Sequence, residues 1–547
     1  MFDRHFAYAQ DIPASVDSGR ILRAETPSLN RSSPAPIINP TNDIDTTIPE
    51  DADNINFALK YLSIHGMSIF QQSDFAHYFE DIYGLETPAS ILWETANHIT
   101  KAYRDQGYFL SKAYIPQQDI NDGYAQIKVI EGYISSVVVE GITKRSPLIQ
   151  SIIKDLKSKK PLRSKDLEEA LLRLNDIHGM EFEAILGKAD DGENGTAKLT
   201  LIRKKAPSKG AISTNNYGSR FVGPVRSHIT YDHSFAQGHS TNINGIASMP
   251  NGSELWLVGV GHDVQITPSV ELGFLLSASN SAPGFTLKDN DIDSQSTSWK
   301  IDLRWQPIRQ RNQNMRISIG FDALNSQTDI LGARLTEDKV RAARLSINYD
   351  FSDRFLGFNT VQFTLSQGIN ALNSSKSGDL NLSRSDAKPS FTKIEASYKY
   401  QKFLGSNLIL FTQIQGQLAS KSLYSSEEFG FGGAYLGRGY DFSEITGDHG
   451  IAASAELSYT GLETLLGYKI NPFAFYDIGK TWNKGLSTVE SISASSVGFG
   501  ARAYSANGIG LDASVALPLT KSIDNPIYGN GKNIIVRFGL IYQLTPK

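Results

Sequence analysis

The sequence has no cysteine among its 547 residues. A disulfide framework, a thiolate metal site and a cysteine nucleophile are therefore excluded. Long apolar runs are also absent, so the sequence predicts no transmembrane helix, which would need about 18 or more consecutive apolar residues. This absence leaves a membrane β-barrel open, because the strands of such a barrel are apolar only at every second residue.

A basic surplus is missing as well. The chain has 53 Lys and Arg against 57 Asp and Glu, a formal net charge of −4, which argues against a nucleic-acid-binding protein. The histidines are scattered without the spacing of metal ligands. The glycine-rich stretch 430–439 does not join a strand to a helix, and Gly479-Lys480-Thr481 lacks the first glycine of a phosphate-binding loop because position 474 is Ala. We predict no catalytic residue, no metal and no other cofactor.

Residues 1–54 are poor in large apolar side chains and rich in Pro, Asn, Asp and Ser. Ala7-Tyr8-Ala9 has the small-x-small pattern of a signal-peptidase site but follows no apolar segment, so either the natural start lies upstream or the match is accidental. Segment 13–25 has a thin apolar face and predicts a short helix within an N-terminal segment, 1–26. The prolines that follow favour an extended linker, 27–54, although composition alone also fits a disordered tail.

Residues 55–205 follow one plan twice, a strand, two helices and two strands, which predicts two α+β units, 55–132 and 133–205. Each such unit leaves a sheet edge that can accept an added strand from a partner. In the first unit the predicted strands are 55–64, 109–115 and 124–131, and the predicted helices are 71–82 and 88–106. In the second unit the predicted strands are 134–142, 182–186 and 196–203, and the predicted helices are 147–157 and 164–177.

Apolar and polar residues alternate from 209 to the end of the chain, as in Met315-Arg316-Ile317-Ser318-Ile319, so one face meets an apolar medium and the other a polar one. A soluble β-sandwich would alternate too. Charged residues in mid-strand, aromatic residues near segment ends, such as Trp299, and the lack of a helical pattern favour a membrane barrel with a wet lumen. The sixteen predicted strands begin near Gly210, Val225, Ser240, Ser253, Ser269, Ser296, Asn312, Lys339, Asn359, Phe391, Leu408, Gly450, Asn471, Ser495, Gly508 and Ile534.

The connection between the eleventh and twelfth predicted strands, 421–449, contains Gly437-Arg438-Gly439-Tyr440. It resembles the Val/Leu-Arg-Gly-Tyr/Phe tetrad that the outer-membrane translocators of two-partner secretion, the TpsB proteins of the Omp85 superfamily, carry in a long loop at this place. Arg-Gly-Tyr is intact, whereas the first position departs from the family pattern. On the thirteenth strand, Phe475-Tyr476-Asp477 is similar to the family's Phe-x-Asp element.

A third match lies at the end of the first α+β unit, which resembles the first polypeptide-transport-associated (POTRA) domain of this family. The resemblance spans the whole chain and implies a transmembrane β-barrel of 16 antiparallel strands at 209–547, POTRA 1 at 55–132, POTRA 2 at 133–205, and an N-terminal plug helix in the lumen. The POTRA 1 motif residues are Tyr114, Pro116, Asp119 and Gly123, and the plug-helix residues are Val16, Arg20, Ile21 and Leu22.

Arg438 would be confined if its loop folds into the lumen, where an unpaired charge is costly. A carboxylate on the barrel wall would hold it through a charge-assisted bond, and Asp477 is the candidate. The glycines on both sides of Arg438 permit a close approach to the wall. From the loop alone, a solvated extracellular arginine is the alternative.

The resemblance implies an outer-membrane protein of a Gram-negative bacterium with its POTRA domains in the periplasm. It would export a large β-helical exoprotein, a haemolysin, an adhesin or a contact-dependent inhibition toxin, whose N-terminal secretion domain binds the POTRA domains. Export would need no nucleotide, and the protein would be a monomer that contacts the lipid bilayer and no nucleic acid. The alternatives are a factor that inserts other outer-membrane proteins and a passive porin, but a plug helix with two docking domains favours export.

Overall fold

The chain forms two compact units. One contains 13–25 and the residues from 208 onward except Arg309–Arg311, and the other contains the residues from 48 to 206 together with Arg309–Arg311. No helix among the described residues has both the length and the apolar character needed to cross a bilayer. The signal-peptidase pattern and most of the predicted linker lie outside the described residues. The computed structural model describes residues 13–25, 48–120, 122–142, 146–190, 194–206, 208–250, 252–485 and 491–544.

The N-terminal segment forms a 3-10 turn, Ala14–Val16, followed by helix α1, Ser18–Glu25. The predicted helix is therefore present but broken at Asp17, whose backbone is extended. The Asp17 carboxylate accepts the N–H groups of Gly19 at 2.8 Å and Arg20 at 3.2 Å. This capping satisfies two of the free N–H groups at a helix start and fixes where α1 begins.

The first α+β unit is built around a three-stranded sheet with β5 in its centre, in the order β2-β5-β4, while β1 pairs with β3. The predicted strand 55–64 is split because its two halves pair with different partners, and only part of the predicted strand 109–115 forms. The elements in chain order are β1 Asn56–Ala58, β2 Tyr61–His65, β3 Glu86–Pro88, α2 Ser90–Asp105, β4 Lys112–Tyr114 and β5 Tyr124–Ile130.

The helix predicted at 71–82 is wrong in type, because the segment forms two 3-10 helices, Gln72–Tyr78 and Glu80–Ile82. Phe79 between them has a φ of −144°, which interrupts helical geometry. The Gln72 side chain donates to Leu62 O at 2.8 Å and accepts from Ile64 N–H at 3.0 Å. This tie to β2 holds the segment against the sheet and outweighs its α-helical pattern.

The second α+β unit has a sheet in the order β6-β8-β7. β6 is parallel to β8, and β7 is antiparallel to it. All five predicted elements are present, and the strand predicted at 182–186 extends further at both ends. The elements are β6 Tyr133–Glu140, α3 Pro147–Ser158, α4 Ser164–Asp176, β7 Met180–Lys188 and β8 Thr196–Lys205.

Sixteen antiparallel strands form a closed barrel, in which the last strand pairs with the first. Each predicted segment corresponds to one strand. The largest difference is at Lys339, where the strand already begins at Ala333, because its first residues are mostly polar and hide the alternation. In chain order the strands are β9 Lys209–Asn215, β10 Arg226–Ala236, β11 His239–Ser248, β12 Leu255–Thr267, β13 Val270–Ser281, β14 Ile292–Arg309, β15 Gln313–Ile330, β16 Ala333–Ser352, β17 Phe358–Gly368, β18 Thr392–Leu404, β19 Leu408–Ala419, β20 Phe429–Phe431, β21 Ile445–Gly447, β22 His449–Tyr459, β23 Tyr468–Trp482, β24 Ser491–Ser505, β25 Ile509–Pro518 and β26 Ile535–Leu544. The short β20 and β21 pair with each other and not with the barrel.

The two faces of the barrel wall differ as the alternation predicts. On β14, Trp299 and Leu303 are each 45% exposed on the apolar face, while Ser294 and Ser296 on the opposite face are buried. Because β14 begins at Ile292, Trp299 lies well inside the strand and not near its end as predicted. The apolar side chains face outward and the polar side chains line the lumen.

Candidate functional site in the barrel lumen

The connection from β19 to β22, residues 420–448, folds against the inner face of the wall, and we call it the lumenal loop. Phe431 and Tyr440 of this loop are fully buried. They belong to a hydrophobic cluster that includes Ala452 of β22 and Ala494 of β24. The buried wall residues in this cluster, Ala452 and Ala494, are small, so the loop approaches these strands closely.

Arg438 of the lumenal loop is 7% exposed and binds groups of β22 and β23. Its Nε and Nη2 donate to the two carboxylate oxygens of Asp477 at 3.1 and 2.8 Å. Nη1 donates to Glu456 Oε2 at 2.5 Å, and Nη2 also donates to Ser454 Oγ at 2.9 Å. The guanidinium lies over Phe475, with Cζ 3.5 Å from the ring centroid. The predicted Arg438–Asp477 contact is present, and the alternative of a solvated arginine is wrong.

Asp477 fixes the backbone of the loop as well as its arginine. Its Oδ2 accepts the N–H groups of Gly437 at 3.2 Å and of Arg438 at 2.9 Å. Gly437 has a φ of +81°, and a Cβ at this position would lie 2.8 Å from the ring of Phe431. The departure from the family tetrad at its first position therefore has a structural reason, because only glycine fits this backbone and this space.

The rest of the tetrad is held by the neighbouring strands. Gly439 N–H donates to Ser496 Oγ at 3.2 Å, and a Cβ on Gly439 would lie 2.6 Å from the Cβ of Ser496. Tyr440 donates its hydroxyl to Ser495 O at 3.0 Å. Arg537 of β26 donates to Tyr440 O at 2.6 Å. The backbone and the side chains of this short segment of the loop are thus both bonded to the barrel wall.

Helix α1 lies against the inner face of β13 and β14 through hydroxyl groups. Ser18 Oγ lies 2.9 Å from Ser294 Oγ and 2.6 Å from Ser296 Oγ. Ser281 Oγ donates to Val16 O at 2.7 Å. Neutral bonds of this kind can be exchanged for bonds to water at a small net cost, so they do not fix the helix permanently.

The apolar residues of the N-terminal segment are covered on their other side. Val16, Ile21 and Leu22 are at most 1% exposed. They belong to a buried cluster with Leu382, from the connection between β17 and β18, and with Tyr424 of the lumenal loop. The predicted plug-helix residues are thus placed together inside the barrel.

Arg20 and Arg23 of α1 pair with two adjacent carboxylates of the lumenal loop. Arg20 Nη2 lies 2.7 Å from Glu428 Oε2, and Arg23 Nη1 contacts the carboxylate of Glu427. Arg23 also lies 3.3 Å from Asp322 on β15. The helix and the lumenal loop are therefore joined by charge, not only by apolar contact.

The barrel wall and another connection supply further cations to the same carboxylates. Arg344 of β16 and Lys393 of β18 lie 2.7 and 2.8 Å from the carboxylate of Glu427. Arg384, from the connection between β17 and β18, lies 3.0 Å from the carboxylate of Glu428. Both carboxylates therefore have at least one cationic partner that does not belong to α1.

The two adjacent glutamates differ in their acidity. Burial favours the neutral form of Glu427, but Arg23, Arg344 and Lys393 outweigh it and hold the pKa of Glu427 well below its ordinary value. Burial raises the pKa of Glu428 above its ordinary value and outweighs Arg20 and Arg384, which act in the opposite direction. Glu428 therefore takes up a proton more readily than Glu427.

The predicted POTRA 1 residues lie in the first α+β unit and not at the lumenal site. Tyr114 ends β4, and Pro116 and Asp119 follow it in the connection to β5. Gly123 has a φ of +80°, and its carbonyl accepts the N–H of Lys60 at 2.8 Å. This turn aligns the start of β5 with β2, which is a structural reason for glycine at this place.

Several members of the site were missed by sequence reasoning. Ser454 stands directly opposite Asp477 in the register of β22 and β23, and Glu456 lies two residues further on the same face. The alternation of β22 could have pointed to both. No sequence signal pointed to Glu427 or Glu428, since Arg20 lies 408 positions from Glu428 in the chain.

The described part of the chain offers no group of three or more His, Asp or Glu side chains arranged to hold a metal ion. The lumenal site consists of arginines, carboxylates, hydroxyl groups and glycines. Such an arrangement can hold chain segments in place and release some of them. The residues of the site are therefore suited to anchoring chain segments.

Comparisons with known proteins show which family and which fold the chain resembles. Residues 268–502 match the family model of haemolysin secretion/activation proteins ShlB/FhaC/HecB, and residues 57–132 match the model of the ShlB-type POTRA domain. The heme/hemopexin transporter protein HuxB of Haemophilus influenzae (strain 86-028NP) is 24% identical over 474 residues, which cover 83% of this chain and 81% of that protein. The outer membrane transporter CdiB of Dickeya dadantii (strain 3937) is 20% identical over 473 residues, covering 81% and 80%. The solved structure of CdiB from Escherichia coli has the same fold, with a TM-score of 0.70 at 16% identity over 99% of this chain and 97% of that one.

Proposed function

Because this chain belongs to the ShlB/FhaC/HecB family of haemolysin secretion/activation proteins, we propose that its lumenal loop and helix α1 control the passage of a secreted partner protein through the barrel. The chain is an outer-membrane transporter of two-partner secretion, with its POTRA units in the periplasm. A closed barrel of sixteen strands encloses an aqueous lumen that can admit an extended polypeptide. The chain segments that occupy the lumen therefore determine whether a polypeptide can pass through it.

The observation that carries this proposal is the buried ion cluster of Arg438. One arginine binds Asp477, Glu456 and Ser454 at once, which holds the lumenal loop in a single conformation against β22 and β23. Charge-assisted and bidentate bonds are the strongest hydrogen bonds available to side chains. On this side of the lumen, the exported polypeptide would pass a loop that is held in place and not a mobile one.

Helix α1 acts as the plug in this proposal. Its predicted plug-helix residues, Arg20, Ile21 and Leu22, face the lumenal loop and its surroundings, and Val16 precedes them in the same cluster. The hydroxyl contacts of α1 can be exchanged for contacts with water, and Glu427 and Glu428 have other cationic partners, so α1 can leave without leaving either carboxylate unpaired. The closed state would therefore be reversible.

The exported partner is a large β-helical exoprotein, such as a haemolysin, an adhesin or a contact-dependent inhibition toxin. In this proposal its N-terminal secretion domain binds the POTRA units, and it crosses the barrel extended and without nucleotide hydrolysis. The transporter acts as a monomer. The proposed division of the chain is a plug segment at 1–26, a linker at 27–54, POTRA 1 at 55–132, POTRA 2 at 133–205 and the barrel at 209–547.

The test is a secretion assay with the exoprotein that this proposal expects to be encoded beside this chain's gene. Deleting the transporter gene should leave the exoprotein in the periplasm, and the wild-type transporter should return it to the medium. Arg438→Ala should restore roughly a tenth of wild-type secretion or less, because it leaves Asp477 buried without its cation. Arg334→Ala is the control, since the ion-pair partners of Arg334 in the described part of the chain are Asp329 and Glu337, at the exposed end of β16.

Two results would contradict the proposal. The first is an exoprotein that reaches the medium without the transporter. The second is an Arg438→Ala transporter that is present in the outer membrane and secretes as well as the wild type.

A further inference from the structure

The turn between β16 and β17, residues 353–357, has a tightly bonded backbone and two exposed apolar side chains. Asp353 Oδ1 accepts the N–H groups of Phe355 at 2.8 Å and of Gly357 at 2.9 Å. Phe355 is 57% exposed and Leu356 is 86% exposed. Leu356 has a φ of +60°, a conformation that is costly for a residue other than glycine. The turn therefore presents both side chains at a cost, which points to a surface that they contact.

This turn lies on the outer, lipid-facing side of the barrel. A Cβ on Gly357 would lie 2.4 Å from the ring of Tyr400 on β18. Tyr398 of the same strand donates its hydroxyl to Asn359 Oδ1 at 2.6 Å. Ile394 and Tyr398 are 40% and 39% exposed on the apolar face of β18, and Tyr400 shares that face because it is two residues further along. The turn is thus packed against side chains that point towards lipid.

The turn is also at the periplasmic end of the barrel. The chain passes from the POTRA units, which lie in the periplasm, into β9 at Lys209. Antiparallel strands alternate in direction, so the connections after β10, β12, β14 and β16 return to that same end. On that side the outer membrane has a phospholipid leaflet, whereas lipopolysaccharide forms the opposite leaflet. Outward-facing tyrosines near this end are typical of the depth of the lipid head groups.

Two cations lie beside the ring of Phe355. Arg354 Cζ is 4.7 Å and Lys402 Nζ is 5.4 Å from the ring centroid, within the range of cation–π attraction. In the described part of the chain, neither cation forms an ion pair with a carboxylate. Asp353 attracts Lys402 only from a longer distance, and its carboxylate already accepts hydrogen bonds from its own turn. Two like charges at one ring repel each other, and an anion between them removes that repulsion.

We propose that Arg354, Phe355, Leu356 and Lys402 bind an anionic phospholipid of the periplasmic leaflet, of the phosphatidylglycerol class. Arg354 and Lys402 bind the phosphodiester, because a guanidinium matches two phosphate oxygens and an ammonium adds a point charge. Phe355 keeps the two cations together, and Leu356 contacts the acyl chains. A zwitterionic phospholipid carries an ammonium beside its phosphate, which two cations disfavour, so the charge of this surface selects the anionic lipid. This site is separate from the lumenal one.

The experiment uses the full chain in vesicles of phosphatidylethanolamine with a minor share of phosphatidylglycerol. Because the chain has no cysteine, Leu404→Cys supplies a single attachment point for a fluorophore. Leu404 is two residues from Lys402 on the same face of β18 and is 40% exposed. Either phosphatidylglycerol or an equal amount of the phosphatidylethanolamine carries bromine atoms, which quench the fluorophore on contact. Lipid association at the label should be roughly fivefold stronger for phosphatidylglycerol.

Two double variants of the labelled chain test the cations. Arg354→Gln with Lys402→Gln should make the two lipids quench equally, because both charges at the ring are gone. Lys399→Gln with Arg334→Gln is the matched control, since it removes the same net charge elsewhere and should keep the preference. Lys399 is on the lumenal face of β18, and Arg334 is at the opposite end of β16. The change in electrophoretic mobility that a folded barrel shows on heating verifies that each variant is folded.

Three results would overturn this inference. The first is equal quenching by the two lipids in the labelled chain with all four cations. The second is a preference for phosphatidylglycerol that survives the loss of Arg354 and Lys402, or that disappears in the control as well. The third is loss of the preference when inorganic phosphate is added, which would show a site for free phosphate and not for a lipid. The secretion assay, which tests the proposed function, is independent of these results.

Discussion

The lumenal loop is held at two places by ion clusters of opposite design. Towards its tip, the loop supplies the cation, Arg438, and the wall supplies the carboxylates, Asp477 and Glu456. Near its start, the loop supplies the carboxylates, Glu427 and Glu428, and the cations come from helix α1, from the wall and from the connection between β17 and β18. At its tip, the lumenal loop is therefore anchored directly to the wall. Near its start, it is anchored through contacts that include helix α1.

This difference shows which contact can be released. If α1 leaves, Glu427 keeps Arg344 and Lys393, and Glu428 keeps Arg384. If the loop tip leaves, Arg438 and its wall carboxylates separate in a buried place, and an unpaired buried charge costs several kcal/mol. Of these two contacts of the loop, the one with the helix is thus the separable part and the one at the tip is the fixed part, so we predict that α1 can move while the loop stays.

The largest effect is expected when the fixed contact is broken. Asp477→Ala leaves the Arg438 guanidinium buried with only part of its partners and removes the acceptor of two loop N–H groups. Secretion of the exoprotein should fall to roughly a tenth of the wild-type level or less. Glu395→Ala is the control, because it removes a half-exposed carboxylate whose cation, Lys393, keeps Glu427. Equal secretion by both variants would show that the tip contact is dispensable.

Exchanging the charges of Arg438 and Asp477 tests the same contact more specifically. The expected result depends on the neighbouring carboxylate of Glu456. Arg438→Asp with Asp477→Arg places the new aspartate beside Glu456, a like charge, so the double variant should remain defective. Adding Glu456→Gln removes that repulsion and should recover part of the secretion. Full recovery in the double variant would mean that Glu456 has no share in the anchoring.

The next largest effect is expected from removing the separable part. Deleting residues 1–26 takes α1 out of the lumen and should raise the ion conductance of single transporters in planar lipid bilayers severalfold. Deleting residues 1–12 alone, which spares α1, is the matched control. A conductance that stays at the wild-type level after the longer deletion would refute a plug.

A smaller effect is expected from the charges of α1 alone. Arg20→Gln with Arg23→Gln removes both cations of the helix, while hydroxyl bonds and the apolar cluster still hold it. Brief openings should become more frequent in conductance traces, and the unfolding temperature should stay close to that of the wild type. Arg344→Gln is the contrast, because Arg344 bridges Asp322 and Glu427 and its loss should lower the unfolding temperature. The reverse order of the two temperatures would contradict the distinction between separable and fixed parts.

The comparison also shows what the sequence can predict. All sixteen barrel strands could be predicted from the alternation of apolar and polar residues. Within each strand this pattern alone indicates which residues face lipid and which face the lumen. The Arg438–Asp477 contact was predictable because both residues belong to motifs of one family. The partners of Arg20 and Arg23 were not, since contacts between a terminal helix and a distant loop depend on how the barrel closes.

The local structure around Gln72 was predicted wrongly for a related reason. The segment around Gln72 has an α-helical pattern, yet its conformation is set by bonds from one side chain to β2. The same bonds close the sheet edge of the first POTRA unit, which no periodicity in the sequence reveals. Side chains that replace a neighbouring strand are visible only when the backbone groups they bind are known.

The smallest effect is expected from pH, and it tests the start of the lumenal loop. Because burial raises the pKa of Glu428, its ion pair with Arg20 exists above that pKa and is lost as the pH falls through it. Glu427, with a lowered pKa, stays charged over the same range. Lowering the pH from neutral towards the ordinary pKa of a glutamate should therefore increase conductance slightly, by weakening the contact between α1 and Glu428. Glu428→Gln should show the higher conductance at both pH values, whereas a pH response that survives in this variant would place the titrating group elsewhere.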